Sequence, residues 1–197
     1  MNVLITERLE LVPITLEVVE AVFRNDRGAV EAMTGAQVPE KWPGRTLVER
    51  AFSADLACIR ADPATRLWGD RLMISRPCEG VGRRVVGSVV FHGAPDAEGV
   101  VEVGYGVEQG SQGRGYGSEA TLAAVRWALA QPEVRVVTAA TFTWHTASVK
   151  ILRRAGLSPC GWREHELLGE MQLFERRVDR MPSTVAAGAA PRLAAAR

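Results

Sequence analysis

Residues Val100 to Ala130 read V-V-E-V-G-Y-G-V, then E-Q-G-S, then Q-G-R-G-Y-G, then S-E-A-T-L-A-A-V-R-W-A-L-A. An apolar strand, a glycine-rich loop and an amphipathic helix follow one another directly. The glycines Gly113, Gly115 and Gly117 fall where the helix should begin. Lacking a Cβ, glycine can turn backbone N–H groups toward one point and let a ligand come close. The first helical turn leaves its N–H groups unpaired, and the helix dipole adds positive potential there. Such a loop is an anion site, most often for phosphate, and Arg114 adds a planar cation suited to phosphate oxygens. Gly115, Gly117 and Ala120 also fit the dinucleotide pattern G-x-G-x-x-A, but that pattern wants its first glycine immediately after the strand, and here polar residues intervene.

Working outward, Glu7 to Pro13 alternate as a strand, with Leu9, Leu11 and Pro13 on one side and Arg8, Glu10 and Val12 on the other. Thr15 caps a helix with apolar positions Val18, Val19, Val22 and Phe23, and a short helix is expected over Ala29 to Met33. Gly35 to Arg45, with Pro39, Trp42 and Pro43, reads as loop. Thr46-Leu47-Val48-Glu49 is a capping box for a helix that ends at Pro63. Thr65 to Ser75 and Arg83 to His92 read as two strands of a meander joined by the turn Pro77 to Gly82. The helix Ser118 to Ala130 should bury Leu122, Val125, Trp127 or Leu129. Val134 to Thr141 should be a strand buried on both faces. A helix over Ala147 to Ala155 ends at Gly156, and Pro159 to Leu168 with Met171 to Val178 form a hairpin about Gly169. One domain is expected over 1–180. Residues 181–197, rich in Ala, Gly and Pro, read as a flexible tail.

Q-G-R-G-Y-G resembles the Q/R-x-x-G-x-G/A pyrophosphate loop of the GNAT superfamily of N-acetyltransferases. V-E-V-G-Y-G-V, S-E-A, T-E-R-L-E-L-V-P-I (Thr6 to Ile14) and T-A-S-V-K-I-L-R-R-A-G-L (Thr146 to Leu157) are similar to its RimJ/RimL-like branch. The resemblance implies a mixed, mostly antiparallel seven-stranded sheet, splayed between strands 4 and 5, with helices on both faces. It implies acetyl-CoA as co-substrate and an amine acceptor, a protein N-terminus or a small molecule, attacked directly in a ternary complex. It places coenzyme contacts at Tyr105, Gly106, Val107, Gln112, Gly113, Arg114, Gly115, Tyr116, Gly117, Ser118, His145, Ser148 and Lys150. A backbone N–H of Gly106 or Val107 would stabilise the thioester oxygen. Ser148 matches a serine near the coenzyme sulfur, His145 stands where the family often has Asn, and Leu152 stands where relatives carry a tyrosine acid. Lys150 and Arg153 would flank the adenosine end, and Trp42 would lie on the acceptor side.

Glu102 is the candidate base. It interrupts an apolar strand and shares a face with Gly104 and Gly106, so its carboxylate meets open space, either a substrate pocket or solvent where it is simply salt-bridged. A non-catalytic acyl-CoA-binding or sensing module would keep the loop without needing Glu102. A nucleotide-binding Rossmann domain is the third reading.

Composition narrows the partners. A net charge of +1 argues against an electrostatic nucleic-acid binder. Cys58, Cys78 and Cys160 have no ligand spacing, and His92 and His165 are isolated, so no metal site is expected. No long apolar span or signal pattern is seen, so no membrane partner and a cytoplasmic location are expected. A homodimer is an expectation from relatives alone.

Overall fold

The computed structural model describes residues 2–41, 56–77, 82–165 and 169–178. Eight strands form one sheet: β1 (Leu4–Ile5), β2 (Leu9–Pro13), β3 (Arg71–Ser75), β4 (Arg84–Phe91), β5 (Val100–Val107), β6 (Val136–Phe142), β7 (Ser158–His165) and β8 (Gly169–Arg177). Their order across the sheet is β1-β2-β3-β4-β5-β6-β8-β7, and β5–β6 is the parallel pair among antiparallel neighbours. The two-residue β1 is the strand that raises the expected seven to eight.

The described helices are α1 (Leu16–Phe23), α2 (Arg27–Thr34), α3 (Leu56–Ala61), α4 (Pro63–Arg66), α5 (Tyr116–Leu129) and α6 (Thr146–Arg154). The side chain of Thr15 caps α1, as its spacing predicts. The capping box Thr46–Glu49, Trp42, most of the turn after Pro77, and the proposed tail lie outside the described residues.

Strand alternation sorts the core into two layers. Leu9, Leu11, Met73, Val89, Val101 and Val103 face α5 and α6, whereas Leu72, Ile74, Val85 and Val90 face α1, α2 and α3. Helices therefore cover both faces. Three expectations change on contact with the fold. Thr65 to Asp70 is not strand: the Asp62 side chain caps α4, with Pro63 at its first turn, and the strand begins only at Arg71. The buried stripe of α5 is Ala120, Thr121, Ala124, Val125 and Ala128. Leu122, Trp127 and Leu129 are half-buried, because small residues let the helix lie close to a sheet surface already crowded with valines. β6 is buried along one face, while on the other Val136 is buried but Thr138, Ala140 and Phe142 are half-buried: among the described residues, the cluster under α1–α3 draws no member from β6, β7 or β8.

Candidate active site

The site grows from the place where the sheet opens. β5 stays paired with β4 along its whole C-terminal half, from Val103–Phe91 to Val107–Gly87. Its pairing with β6 stops at Glu102–Thr138. Beyond that point the two strands diverge, which is the expected splay, between the fourth and fifth long strands. Backbone direction alternates along a strand. His92 N–H donates to the Glu102 carbonyl and Glu108 N–H to the Val86 carbonyl, so even-numbered residues of β5 bond toward β4. The odd-numbered Tyr105 and Val107 thus turn their N–H groups into the opening. Of the two expected oxygen-stabilising donors, it is Val107 that faces the gap, while Gly106 faces Ser88 across the β4 pairing.

After β5 the chain makes a 3₁₀ turn at Gln109–Ser111, capped by Glu108, which accepts from Gly110 N–H and Ser111 Oγ. Gly113 at φ +75° and Gly115 at φ +84° then take left-handed conformations that other residues rarely adopt, and Gly115 caps α5. Gly117 permits a close crossing: a Cβ there would stand 3.0 Å from Ile151 Cδ1 and 3.3 Å from Val107 Cγ2. The unpaired first-turn amides of α5 border a cavity of about 440 Å³ between the splay, the loop and α6.

Of the residues expected to hold the coenzyme, Tyr105, Gly106, Val107, Gln112, Gly113, Gly115, Tyr116, Gly117, Ser118, His145, Ser148 and Lys150 line this one cavity. Arg114 does not line it. Its carbonyl is instead drawn outward by Arg8 Nη1 at 2.8 Å. Ser111, Ala147, Ile151 and Arg154 line it as well. Arg154, not Arg153, joins Lys150 on the wall. The four-residue helical spacing from Lys150 carries that signal, which the pairing of Arg153 with Arg154 as a solvated face obscured.

A clamp holds the loop from behind. Glu119, in the first turn of α5, accepts from Arg8 N–H (2.8 Å), Arg8 Nε (2.8 Å) and Thr6 Oγ1 (2.6 Å). Burial works against its charge, but the hydrogen bonds from Thr6 and Arg8 outweigh it and hold Glu119 below the ordinary carboxylate range. The Arg8 guanidinium also lies 5.2 Å from the Tyr116 ring centre. The T-E-R segment, read from sequence only as strand, thus fixes the loop's direction.

Inside the cavity the Tyr105 hydroxyl lies 2.7 Å from Ser148 Oγ and donates to the Ser148 carbonyl at 3.1 Å. Burial pushes the Tyr105 phenol up to about 12, against the hydrogen bond with Ser148, so it is a neutral donor at physiological pH. Ser148 is buried in the first turn of α6, whose cap, His145, makes no side-chain capping bond. Leu152 is core. The tyrosine absent from α6 is matched by one reaching across from β5.

Glu102 is not part of the cavity; it points from the opposite face of the splay. Its carboxylate is 25% exposed and takes a two-pronged contact from Arg163 on β7, Nη1–Oε2 and Nη2–Oε1 both 3.2 Å. His92 Nδ1 lies 3.8 Å away. Among the described residues no cluster of His, Cys, Asp and Glu could hold a metal ion, and no helix is long and apolar enough to cross a membrane.

The strand–loop–helix turn beside a splayed parallel pair has the arrangement the resemblance implies, and the comparisons identify the class as acetyltransferase. Residues 8–158 match the family described as acetyltransferase (GNAT) domain, and the chain belongs to that family. It is 25% identical over 156 residues to the uncharacterized N-acetyltransferase YjdG of Bacillus subtilis (strain 168), covering 79% of this chain and 89% of that protein. Among solved structures, a GNAT-family acetyltransferase from Bacillus anthracis superposes with TM-score 0.57 at 17% identity, covering 91% of this chain and all of that one. RimL, a ribosomal α-N-protein acetyltransferase solved with coenzyme A, superposes with TM-score 0.60 at 14% identity, covering 90% and 99%. These structural likenesses concern the fold, and they match the RimJ/RimL-like architecture that the sequence resembles.

Proposed function

We propose that this acetyltransferase moves an acetyl group from acetyl-CoA to a primary amine, at a protein N-terminus or on a small molecule, by direct attack in a ternary complex. The observation that carries this reading is the two-sided splay: a cradle for a diphosphate on one side and a carboxylate, Glu102, on the other. The cavity fits the coenzyme in kind. Amides at the start of α5 suit a diphosphate, Lys150 and Arg154 add positive charge, and Tyr105, Val107 and Ser148 line the same cavity. Acetyl-CoA supplies the activated thioester.

The chain's own residues do the rest. Glu102 takes a proton from the incoming ammonium, directly or through one water, and passes it to solvent. The free amine forms its bond to the carbonyl carbon while Val107 N–H steadies the charge gathering on the oxygen. As the carbon–sulfur bond breaks, the nitrogen gives up a second proton, which balances the one the thiolate takes. The Ser148–Tyr105 hydroxyl pair is the hydrogen-bonded route to the sulfur. The products are an amide and a free thiol.

Release of free thiol from acetyl-CoA in the presence of an amine panel tests the reading. Glu102→Gln should lower kcat/KM by roughly 10²–10⁴-fold, with coenzyme affinity unchanged by calorimetry. Coenzyme binding without thiol release for any amine would favour the non-catalytic acyl-CoA-binding module, a reading supported by the hold of Arg163 on Glu102.

A further inference from the structure

Arg163 sits where an acceptor's ammonium would have to go. Both Glu102 oxygens are engaged by its guanidinium, at 3.2 Å each. An amine that pairs directly with Glu102 therefore competes with it for those oxygens. The sheet register explains why Arg163 can both reach Glu102 and leave it. Arg163, Met171 and Phe142 form one row across β7, β8 and β6, and Phe142 shares the face of Thr138, the register partner of Glu102. Among the described residues, this half of the face carries no member of the cluster under α1–α3, and Phe142, Met171 and Leu173 are half-buried there. Arg163 itself is 49% exposed on the edge strand.

Once displaced, a guanidinium does best against another planar oxyanion, because its rigid fork of donors matches a carboxylate. The neighbouring carboxylate Glu175 is already taken, accepting from Arg177 Nε at 2.8 Å and Nη2 at 3.0 Å. On the other flank stands His92, which offers Glu102 a ring nitrogen and Arg163 no charge to bind. An acceptor that carries its own carboxylate close to the amine solves both problems at once. Its ammonium replaces the guanidinium at Glu102, and its carboxylate receives the guanidinium that was replaced.

We propose that Arg163 is a specificity-determining residue, and that the protein selects amines bearing a carboxylate near the reacting nitrogen. This rests on Glu102 as the acceptor-side base. Two sources share the chemistry: a free amino acid, and a peptide N-terminus that begins with an acidic residue.

Matched acceptors test it on the full chain with acetyl-CoA. One arm compares free amino acids with their carboxamides; the other compares peptides beginning with Asp against the same peptides beginning with Asn. The wild-type protein should favour the carboxylate member of one arm by about tenfold or more in kcat/KM, a size typical of a charge-assisted pair. Arg163→Gln should collapse that ratio toward one, lowering kcat/KM for the carboxylate acceptor about tenfold more than for its amide. Arg163→Lys should retain part of the ratio. Equal rates for both members in both arms of the wild type, or an equal loss for both members in Arg163→Gln, would overturn the proposal.

Calorimetry of the same acceptors against protein saturated with coenzyme A separates this from the base assignment. Should Glu102→Gln keep full turnover, or the wild type release no thiol, the base reading fails, and the affinity ratio of acid to amide decides the role of Arg163 alone. Equal affinities, or a ratio unmoved by Arg163→Gln, would end it.

Discussion

Arg8→Ala should loosen coenzyme binding without touching the coenzyme's cavity. The Arg8 side chain makes two contacts with Glu119 Oε2, at 2.7 and 2.8 Å, and one with the Arg114 carbonyl at 2.8 Å. It is 46% exposed, so solvent and salt screen the ion pair, which contributes about 0.2–1 kcal/mol. The hydrogen bond to the carbonyl adds about 1 kcal/mol. The backbone N–H of residue 8 and the Thr6 hydroxyl would still hold Glu119. The loss is therefore about 1–2 kcal/mol, borne by the loop whose amides must converge on one point. If that loss falls on the binding-competent arrangement, the dissociation constant for coenzyme A rises about five- to thirtyfold. Calorimetric titration at low and at physiological salt measures it, and the wild-type advantage should shrink as salt rises. The folded pKa of Glu119 is depressed, so the clamp is fully present above the ordinary value of 4.5 and is lost only as pH falls through the lower folded value. The variant's deficit should accordingly be constant from pH 6 to 8. Arg8→Ala and Glu119→Gln both binding coenzyme A within twofold of wild type would refute the clamp.

Tyr105→Phe should cut kcat by about tenfold or more while leaving the KM for acetyl-CoA within about twofold, measured by thiol release. Because burial raises the Tyr105 pKa from 10.0 to about 12, the folded chain keeps a proton there that the unfolded chain loses. Wild-type stability should fall as pH rises across that window, and urea midpoints of Tyr105→Phe should lack this component. Gly113→Ala has open space for its methyl but a φ of +75°, so it should cost about 1 kcal/mol in denaturant unfolding through the backbone alone and weaken coenzyme A binding. Arg71→Ala should destabilise by about 2–3 kcal/mol in chemical denaturation, since the buried guanidinium lies 4.0 Å over the Trp127 ring and donates to the Gly69 carbonyl.

The comparison of sequence with structure divides by range. Where a residue's state depends on its immediate neighbours, the reading held. Glycines at positive φ mark the loop, Thr15 caps α1, Gly156 follows α6 at φ +82°, and alternation puts Leu9 and Leu11 inside. The cavity residues from Tyr105 to Ser118 were legible as a group because strand, loop and helix start are consecutive in the chain, whereas His145, Ser148 and Lys150 were legible only through the family resemblance. The strand reading of Thr65 to Asp70 fails although the Asp62 cap before Pro63 is a local signal, and the other errors arose where a neighbour in space decides. Thr138, Ala140 and Phe142 are only half-buried because, among the described residues, the cluster of the second layer reaches no further than β4. The stripe of α5 is alanine because of what it packs against, and Arg154 replaces Arg153 because of how α6 is rotated on the sheet.

The chain order by itself determined a mixed α/β protein with an anion-binding turn at the head of a helix, since backbone sterics and unpaired terminal amides act within a few residues of one another. Folding alone decided which distant side chains meet: Tyr105 with Ser148 across 43 residues, Glu102 with Arg163 across 61, and Arg8 with Glu119 across 111. The first two pairs flank the place where two strands part after Glu102, and the third holds the loop from behind. No local rule encodes where a sheet comes apart.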